Sequence, residues 1–240
     1  MLKLCVIGDP VAHSLSPMLH RDMLQKAGID GTYEAVTVKP EELTDFVARA
    51  KAGAYDSFNV TMPHKESIIP LLDELALSAR TMGAVNTVVI RQGRAIGYNT
   101  DGDGLVRSLP KLPKKAVVLG NGGAAKAVSR ALGQNGVEVA VCARHPIQGE
   151  LPWHKSKEAV RDCELLVNAT CLGMTGKEQF TDFDFLYHLP ENAVVYDLVY
   201  EPQDTELLRQ AKELCHPIIG GFTLLKSQAE LAFTIFTTVK

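Results

Sequence analysis

Three polar side chains gather around one short run, Ser57-Phe58-Asn59-Val60-Thr61-Met62-Pro63-His64-Lys65. Phe58 and Val60 alternate with polar neighbours, the period of a strand, and Pro63 ends it. That period puts Asn59 and Thr61 on one face, with Lys65 just past the stop. An amide, a hydroxyl and an ammonium therefore meet at the C-terminal end of a strand, where α/β sheets commonly bind ligands. The plain alternative is a solvated strand end carrying an exposed lysine.

A second set lies further on. Gly120-Asn121-Gly122-Gly123-Ala124-Ala125 fits G-x-G-x-x-A directly between the apolar run Ala116-Val117-Val118-Leu119 and a helical stretch. In that context the first glycine permits a tight turn and the second lets backbone N–H groups approach a pyrophosphate. The small last position lets helix and strand pack closely, and the helix N-terminus favours the anion. The next strand ends Cys142-Ala143-Arg144-His145, with no carboxylate at its tip to take ribose hydroxyls. An arginine there suits a 2′-phosphate, so the reading is NADP rather than NAD.

The elements that must position these groups follow from periodicity and punctuation. Leu2 to Ile7 reads as a strand, and Ser16-Pro17 as a helix cap opening a helix to about Ala27. Thr32 to Val38 alternates as a strand. Pro40-Glu41-Glu42 opens an amphipathic helix to about Ala52-Gly53, and a helical region is expected around 68–79. Thr87 to Ile90 and Ala95 to Tyr98 form a hairpin about Arg91-Gln92-Gly93-Arg94, with a helix from about Asp103 to Leu109. Pro110 to Lys115 marks a boundary. Beyond it come strands at 116–119, 137–142, 165–167 and 194–196, a helix over 205–214, and a last helix from Phe222. Strands and helices alternating with short connections give an α/β layer architecture.

The 240 residues suffice for one large domain or two modest ones. A composition 46% hydrophobic and 22% charged is that of an ordinary globular chain rather than a disordered one. The formal charge of −3 offers no general attraction for nucleic acid or an anionic membrane as a partner, though small patches could still bind phosphate. No apolar run is long enough to span a bilayer or to serve as a signal peptide. The five cysteines are scattered, without a C-x-x-C pair, which fits reduced thiols in a cytoplasm and no metal site.

Several motifs taken together resemble the shikimate dehydrogenase family. They are His13-Ser14-Leu15-Ser16-Pro17, Asn59 to Lys65, Gly83-Ala84-Val85-Asn86-Thr87, Asn99-Thr100-Asp101-Gly102, the glycine loop, Asn168-Ala169-Thr170, Asp197-Leu198-Val199-Tyr200 and the Gln228 region. The resemblance runs from Met1 to about Phe236 in the family's order. It implies reversible NADPH-dependent reduction of 3-dehydroshikimate to shikimate, on the way to chorismate and the aromatic amino acids. It also implies an N-terminal substrate domain over 1–103, joined by the C-terminal helix 222–240, and a Rossmann-type NADP-binding domain over 104–221. The active site would lie in the cleft between them. Lys65 and Asp101 would be the catalytic pair. Ser14, Ser16, Asn59, Thr61, Asn86, Tyr200 and Gln228 would bind the carboxylate and hydroxyls of the substrate. Gly120, Asn121, Gly122, Gly123, Ala124, Arg144, Leu198 and Gly221 would bind the cofactor. The chemistry asks for such a set independently: a ketone taking hydride builds charge on oxygen, which an ammonium stabilises and protonates while a carboxylate positions it.

The chain departs from the family in places. Its Ala143-Arg144-His145 lacks the amide and hydroxyl that usually flank this arginine, so the grip on the 2′-phosphate is expected to be weaker or shared with His145. The stretch 144–168 is short and holds Pro146, Gly149 and Pro152, so the helix that normally follows this strand should be missing or reduced to a turn, leaving the adenine side more open. Leu224 stands where the family often has a methionine near the nicotinamide, and the last helix many relatives carry is expected to be missing. Two other functions stay open: a quinate or dual quinate/shikimate dehydrogenase using NAD(P), and a non-catalytic NADP-binding regulator. Monomer and homodimer stay open as well.

Overall fold

Separate buried clusters sort the chain into two units. The structure, a computed structural model, describes residues 1–238, so the end of the expected 222–240 helix lies outside the described residues. One unit holds residues 1–104 together with the chain from Lys226 onward, and the other holds Leu105 to Leu225.

The first unit is built from β1 (Leu2–Gly8), α1 (Ser16–Lys26), β2 (Gly31–Thr37), α2 (Leu43–Arg49), β3 (Ser57–Val60), α3 (His64–Ser67), β4 (Glu74–Leu75), α4 (Leu77–Met82), β5 (Thr87–Arg91), β6 (Arg94–Tyr98) and the start of α5 (Asp101–Ser108). Its six strands run in the order β2-β1-β3-β5-β6-β4. β1 pairs in parallel with β2 and β3, whereas β5 is antiparallel to both β3 and β6. β1 is apolar at nearly every position because both of its faces are covered. Cys5 and Ile7 pack with Phe46 and Val47 of α2. Leu4 and Val6 pack with Leu24 of α1 and with Ala232 and Phe236 of the last helix. Gln92 and Gly93 both take positive φ, 49° and 75°, the turn that matches the twist of the β5–β6 hairpin.

Three expectations for this unit need correcting. Ser16 does not cap α1; the cap position is Leu15, with no side-chain cap, and Ser16 is the first helical residue. The segment after Pro40 begins as a 3-10 turn, becomes α2 only from Leu43, and ends in a widened turn where Gly53 has φ of 97°. The stretch 68–79 is not one helix: Pro70 sits in a 3-10 turn, and the chain then adds the short edge strand β4 before α4. Proline lacks the N–H a continuing helix needs, and β4 finds its partner in β6.

The second unit contains β7 (Lys115–Leu119), α6 (Gly123–Gln134), β8 (Glu138–Ala143), β9 (Leu151–Pro152), α7 (Ser156–Ala159), β10 (Leu165–Asn168), β11 (Val194–Asp197), α8 (Glu206–Glu213), β12 (Ile218–Ile219) and the start of α9 (Gly221–Thr238). All its pairings are parallel. The order β12-β11-β10-β7-β8-β9 is the doubly wound dinucleotide-binding order, whose strand sequence reverses between β7 and β10. The crossover from β8 to β10 is reduced to the single turn α7 between two 3-10 turns. Trp153, Phe180 and Phe183 pack beside Phe185 in the same core cluster. No helix among the described residues is long and apolar enough to cross a membrane.

Candidate active site

Sheet order brings the polar residues of the first unit to one edge. Because β3 and β5 are antiparallel, the C-terminal end of β3 lies beside the start of β5, with Asn59 opposite Thr87. Thr87 in turn lies opposite Tyr98 at the end of β6. Thr61, Lys65, Asn86, Asn99 and Asp101, though dispersed along the chain, thus leave the sheet at the same edge as Ser14.

There Lys65 Nζ donates to Asp101 Oδ2 at 2.7 Å, with the side chains 33% and 24% exposed. The pair is half-buried, shielded enough to be directed and open enough to meet a ligand. Asn86 holds the other carboxylate oxygen: its Nδ2 donates to Asp101 Oδ1 at 2.8 Å and to Thr100 Oγ1 at 3.0 Å. Asn86 Oδ1 accepts from Thr100 N and from Thr87 Oγ1, both at 2.9 Å. The Asp101 N–H donates to Asn99 Oδ1 at 3.0 Å, fixing the first turn of α5. On α9, Gln228 Oε1 lies 3.4 Å from Thr100 Oγ1.

Asn59, placed by sequence among the substrate contacts, spends both amide hydrogens inside the unit, on Asn86 O and Thr87 Oγ1. Its Oδ1 accepts from Tyr33 Oη at 2.7 Å, which leaves one acceptor lone pair for anything else. A single hydrogen-bonded chain therefore runs from Tyr33 through Asn59, Thr87 and Asn86 to Asp101 and Lys65. Sequence reasoning missed Tyr33 and Thr87, since only the strand register brings them here. Ser14 Oγ accepts the Ser16 N–H at 3.2 Å, and the half-buried Thr61 follows directly on β3. His64 is fully buried, with Nε2 2.6 Å from Val38 O, a packing role beside the lysine.

In the second unit the glycine loop lies at the reversal point of the sheet. Gly120 has φ of 101°, and a Cβ there would come within 2.8 Å of Thr170 Cγ2 from the loop after β10. Gly122 caps α6 in extended conformation, and neither it nor Gly123 has an atom within 4 Å of where a Cβ would stand. The first turn of α6, which includes Ala124, carries no acidic residue. This is an open cradle of N–H groups at a helix N-terminus, suited to a pyrophosphate. Asn121 is already engaged, its Nδ2 donating to His145 O and Glu150 Oε2, both at 2.9 Å. Arg144 leaves the end of β8, and its Nη1 donates to Glu178 Oε2 at 2.8 Å. Glu150 and Glu178 are not visible as site residues in the sequence because neither lies at the strand tip where an acidic residue is usually sought.

A buried polar cluster shapes the neighbouring strand ends. Asp197, fully buried, accepts from Asn168 Nδ2 at 2.9 Å, Val199 N at 3.0 Å and Thr205 Oγ1 at 2.6 Å. Burial pushes its carboxyl above the usual carboxylate range, and these three bonds pull it back. The cluster sets the path of Leu198, whose N–H donates to Asn168 O at 3.0 Å, and of the half-buried Tyr200. Gly221 sits directly against the Leu198 backbone, where no side chain fits. Tyr200 thus belongs to the second unit and is not part of the Lys65 chain.

Comparison with known proteins places the chain among relatives of one family. Residues 6–88 match the family model described as the shikimate dehydrogenase substrate binding domain. The shikimate dehydrogenase (NADP(+)) of Oceanobacillus iheyensis is 37% identical, over 98% of this chain and 92% of its own. That of Methylocella silvestris is 38% identical, over 95% and 88%. The crystal structure of shikimate 5-dehydrogenase from Thermus thermophilus, in complex with NADP(H) and shikimate, superposes with a TM-score of 0.89 at 36% identity, covering 99% of this chain and 94% of that one.

Proposed function

Since the chain belongs to the shikimate dehydrogenase family, we propose that it interconverts 3-dehydroshikimate and shikimate with NADP(H), a step toward chorismate and the aromatic amino acids. The observation that carries the reading is the Lys65–Asp101 pair, 2.7 Å apart and held in place by Asn86. A regulator that only sensed the cofactor has no use for a directed ammonium at a ligand-binding sheet edge.

The residues divide the work. Ser14, Ser16 and Thr61 offer hydroxyls for the substrate carboxylate, while Gln228 and Tyr200 offer groups for its ring hydroxyls. Asn59 and Asn86 act one step back, orienting the catalytic pair. Gly120, Gly122, Gly123 and Ala124 would hold the pyrophosphate, Arg144 the 2′-phosphate, and Leu198 and Gly221 the nicotinamide side. When bound, the dihydronicotinamide supplies a hydride to the ketone carbon. Lys65 faces the ketone oxygen, stabilises the charge that grows there and donates the proton that makes the new hydroxyl. Asp101 holds the ammonium on target and keeps a counter-charge beside it. In the reverse direction Lys65 takes the hydroxyl proton back. The five free cysteines fit a reducing, cytoplasmic setting for this chemistry.

The test is NADP+ reduction with shikimate and, separately, with quinate. Shikimate should turn over and quinate should not compete in kcat/KM. Lys65→Ala should lose turnover by about a thousandfold while still binding shikimate in calorimetry. Turnover that survives the substitution, or a preference for quinate, overturns the reading.

A further inference from the structure

Arg144, the residue read as the 2′-phosphate partner, already has a partner of its own. Glu178 Oε2 accepts from its Nη1 at 2.8 Å, with the two side chains 63% and 69% exposed. The carboxylate comes from the loop that follows β10 and the arginine from the end of β8, while β7 and its glycine loop run between those strands. The ion pair therefore joins the two sides of the strand end where the phosphate cradle opens.

The segments that carry the two partners are each tied down by hydrogen bonds. On the Glu178 side, Gly173 N donates to Glu178 O at 3.0 Å, and Lys177 N donates to Met174 O at 3.0 Å, closing the loop on itself. On the Arg144 side, Glu150 Oε2 accepts from Ile147 N and from Asn121 Nδ2, both at 2.9 Å, clamping the segment after β8 to the glycine loop. With both segments tied down and both side chains exposed, rotation of the two side chains is enough to exchange partners at Arg144.

We propose that Glu178 is a specificity-determining residue that competes with the cofactor's 2′-phosphate for the Arg144 guanidinium. The inference rests on the NADP reading of Arg144 given above. NADPH gains that guanidinium only by displacing the carboxylate, and the displaced carboxylate stays near a doubly charged phosphate. NADH carries no such phosphate and leaves the pair intact. Glu178 thus narrows the preference for NADPH over NADH that Arg144 alone would give. An exposed pair of this kind contributes up to about 1 kcal/mol, which corresponds to about a fivefold change in affinity.

The experiment titrates the wild type, Glu178→Gln and the control Glu191→Gln with adenosine 2′,5′-bisphosphate and with 5′-AMP by calorimetry. Neither ligand carries a nicotinamide, so turnover plays no part. KM and kcat with NADPH and NADH are measured alongside. Glu178→Gln should bind the bisphosphate about fivefold more tightly, leave 5′-AMP within about twofold, and lower the KM for NADPH at unchanged kcat. Glu191→Gln, which removes the same charge from an exposed loop elsewhere, should do none of this. Equal tightening of both ligands, or an unchanged bisphosphate affinity, overturns the role of Glu178. If wild type and variant alike bind the bisphosphate no better than 5′-AMP, the NADP reading of Arg144 falls with it.

Discussion

At the scale of single residues, the reactive lysine is defined less by its own position than by the carboxylate and amide behind it. Asp101 receives Lys65 on one oxygen and Asn86 on the other, so its orientation is set from two sides. Asp101→Asn preserves size and can still accept from Asn86, but it removes the counter-charge from the ammonium. The expected result is a fall in kcat of about a hundredfold with KM for shikimate changed only a few-fold, read from steady-state kinetics. A fall confined to KM would instead make Asp101 a binding group. Lys65 and the glycine loop are legible in the sequence because their neighbours (a proline stop, a strand-to-helix step) announce them locally. Tyr33 and Glu178 are not, because each meets its partner only through packing, 26 and 34 positions away in the chain.

At the scale of elements, punctuation decides what can be read. The hairpin at Gln92-Gly93 and the helix after the glycine loop fall where their turn residues put them. Over 68–79 the apolar spacing suggests one helix, but Pro70 breaks it and the spacing misleads. The reverse holds for 144–168, where Pro146, Gly149 and Pro152 correctly argue against a long crossover helix. Element ends also carry stability. Thr205 caps α8 by accepting Leu208 N at 3.3 Å, and its hydroxyl hydrogen goes to the buried Asp197 at 2.6 Å. Thr205→Ala removes a helix cap and leaves a buried carboxylate short of one donor, which should lower stability by about 2–3 kcal/mol in urea denaturation. Thr205→Ser, which keeps the hydroxyl, should recover most of that loss. If Ala and Ser variants are equally stable, the hydroxyl does not hold these strand ends together.

At the scale of the whole molecule, the chain returns at its end to the unit in which it began, and one histidine stands where first and last helices meet the sheet. His20 of α1 is 1% exposed and stacks on Tyr33 of β2 with ring centroids 4.3 Å apart, while Phe233 and Phe236 of α9 lie at 6.3 and 5.7 Å. This apolar enclosure lowers its pKa from 6.5 to about 3, because burial penalises the charged ring. The sign follows from proton counting. Between those two values the unfolded chain binds a proton that the folded chain does not, so stability is full above the unfolded value and drains away as pH falls toward the folded one. Moving from about pH 7 to about pH 5 should therefore cost the first unit about 2 kcal/mol through His20 alone. His20→Phe keeps a flat ring on Tyr33 and removes the titration. Chemical denaturation at both pH values should show the wild type losing about 2 kcal/mol more than the variant over this range, whatever the other carboxylates and histidines contribute to both. Parallel losses in the two proteins would mean that water reaches the ring, and that the seam between α1, β2 and α9 opens more readily than its packing implies.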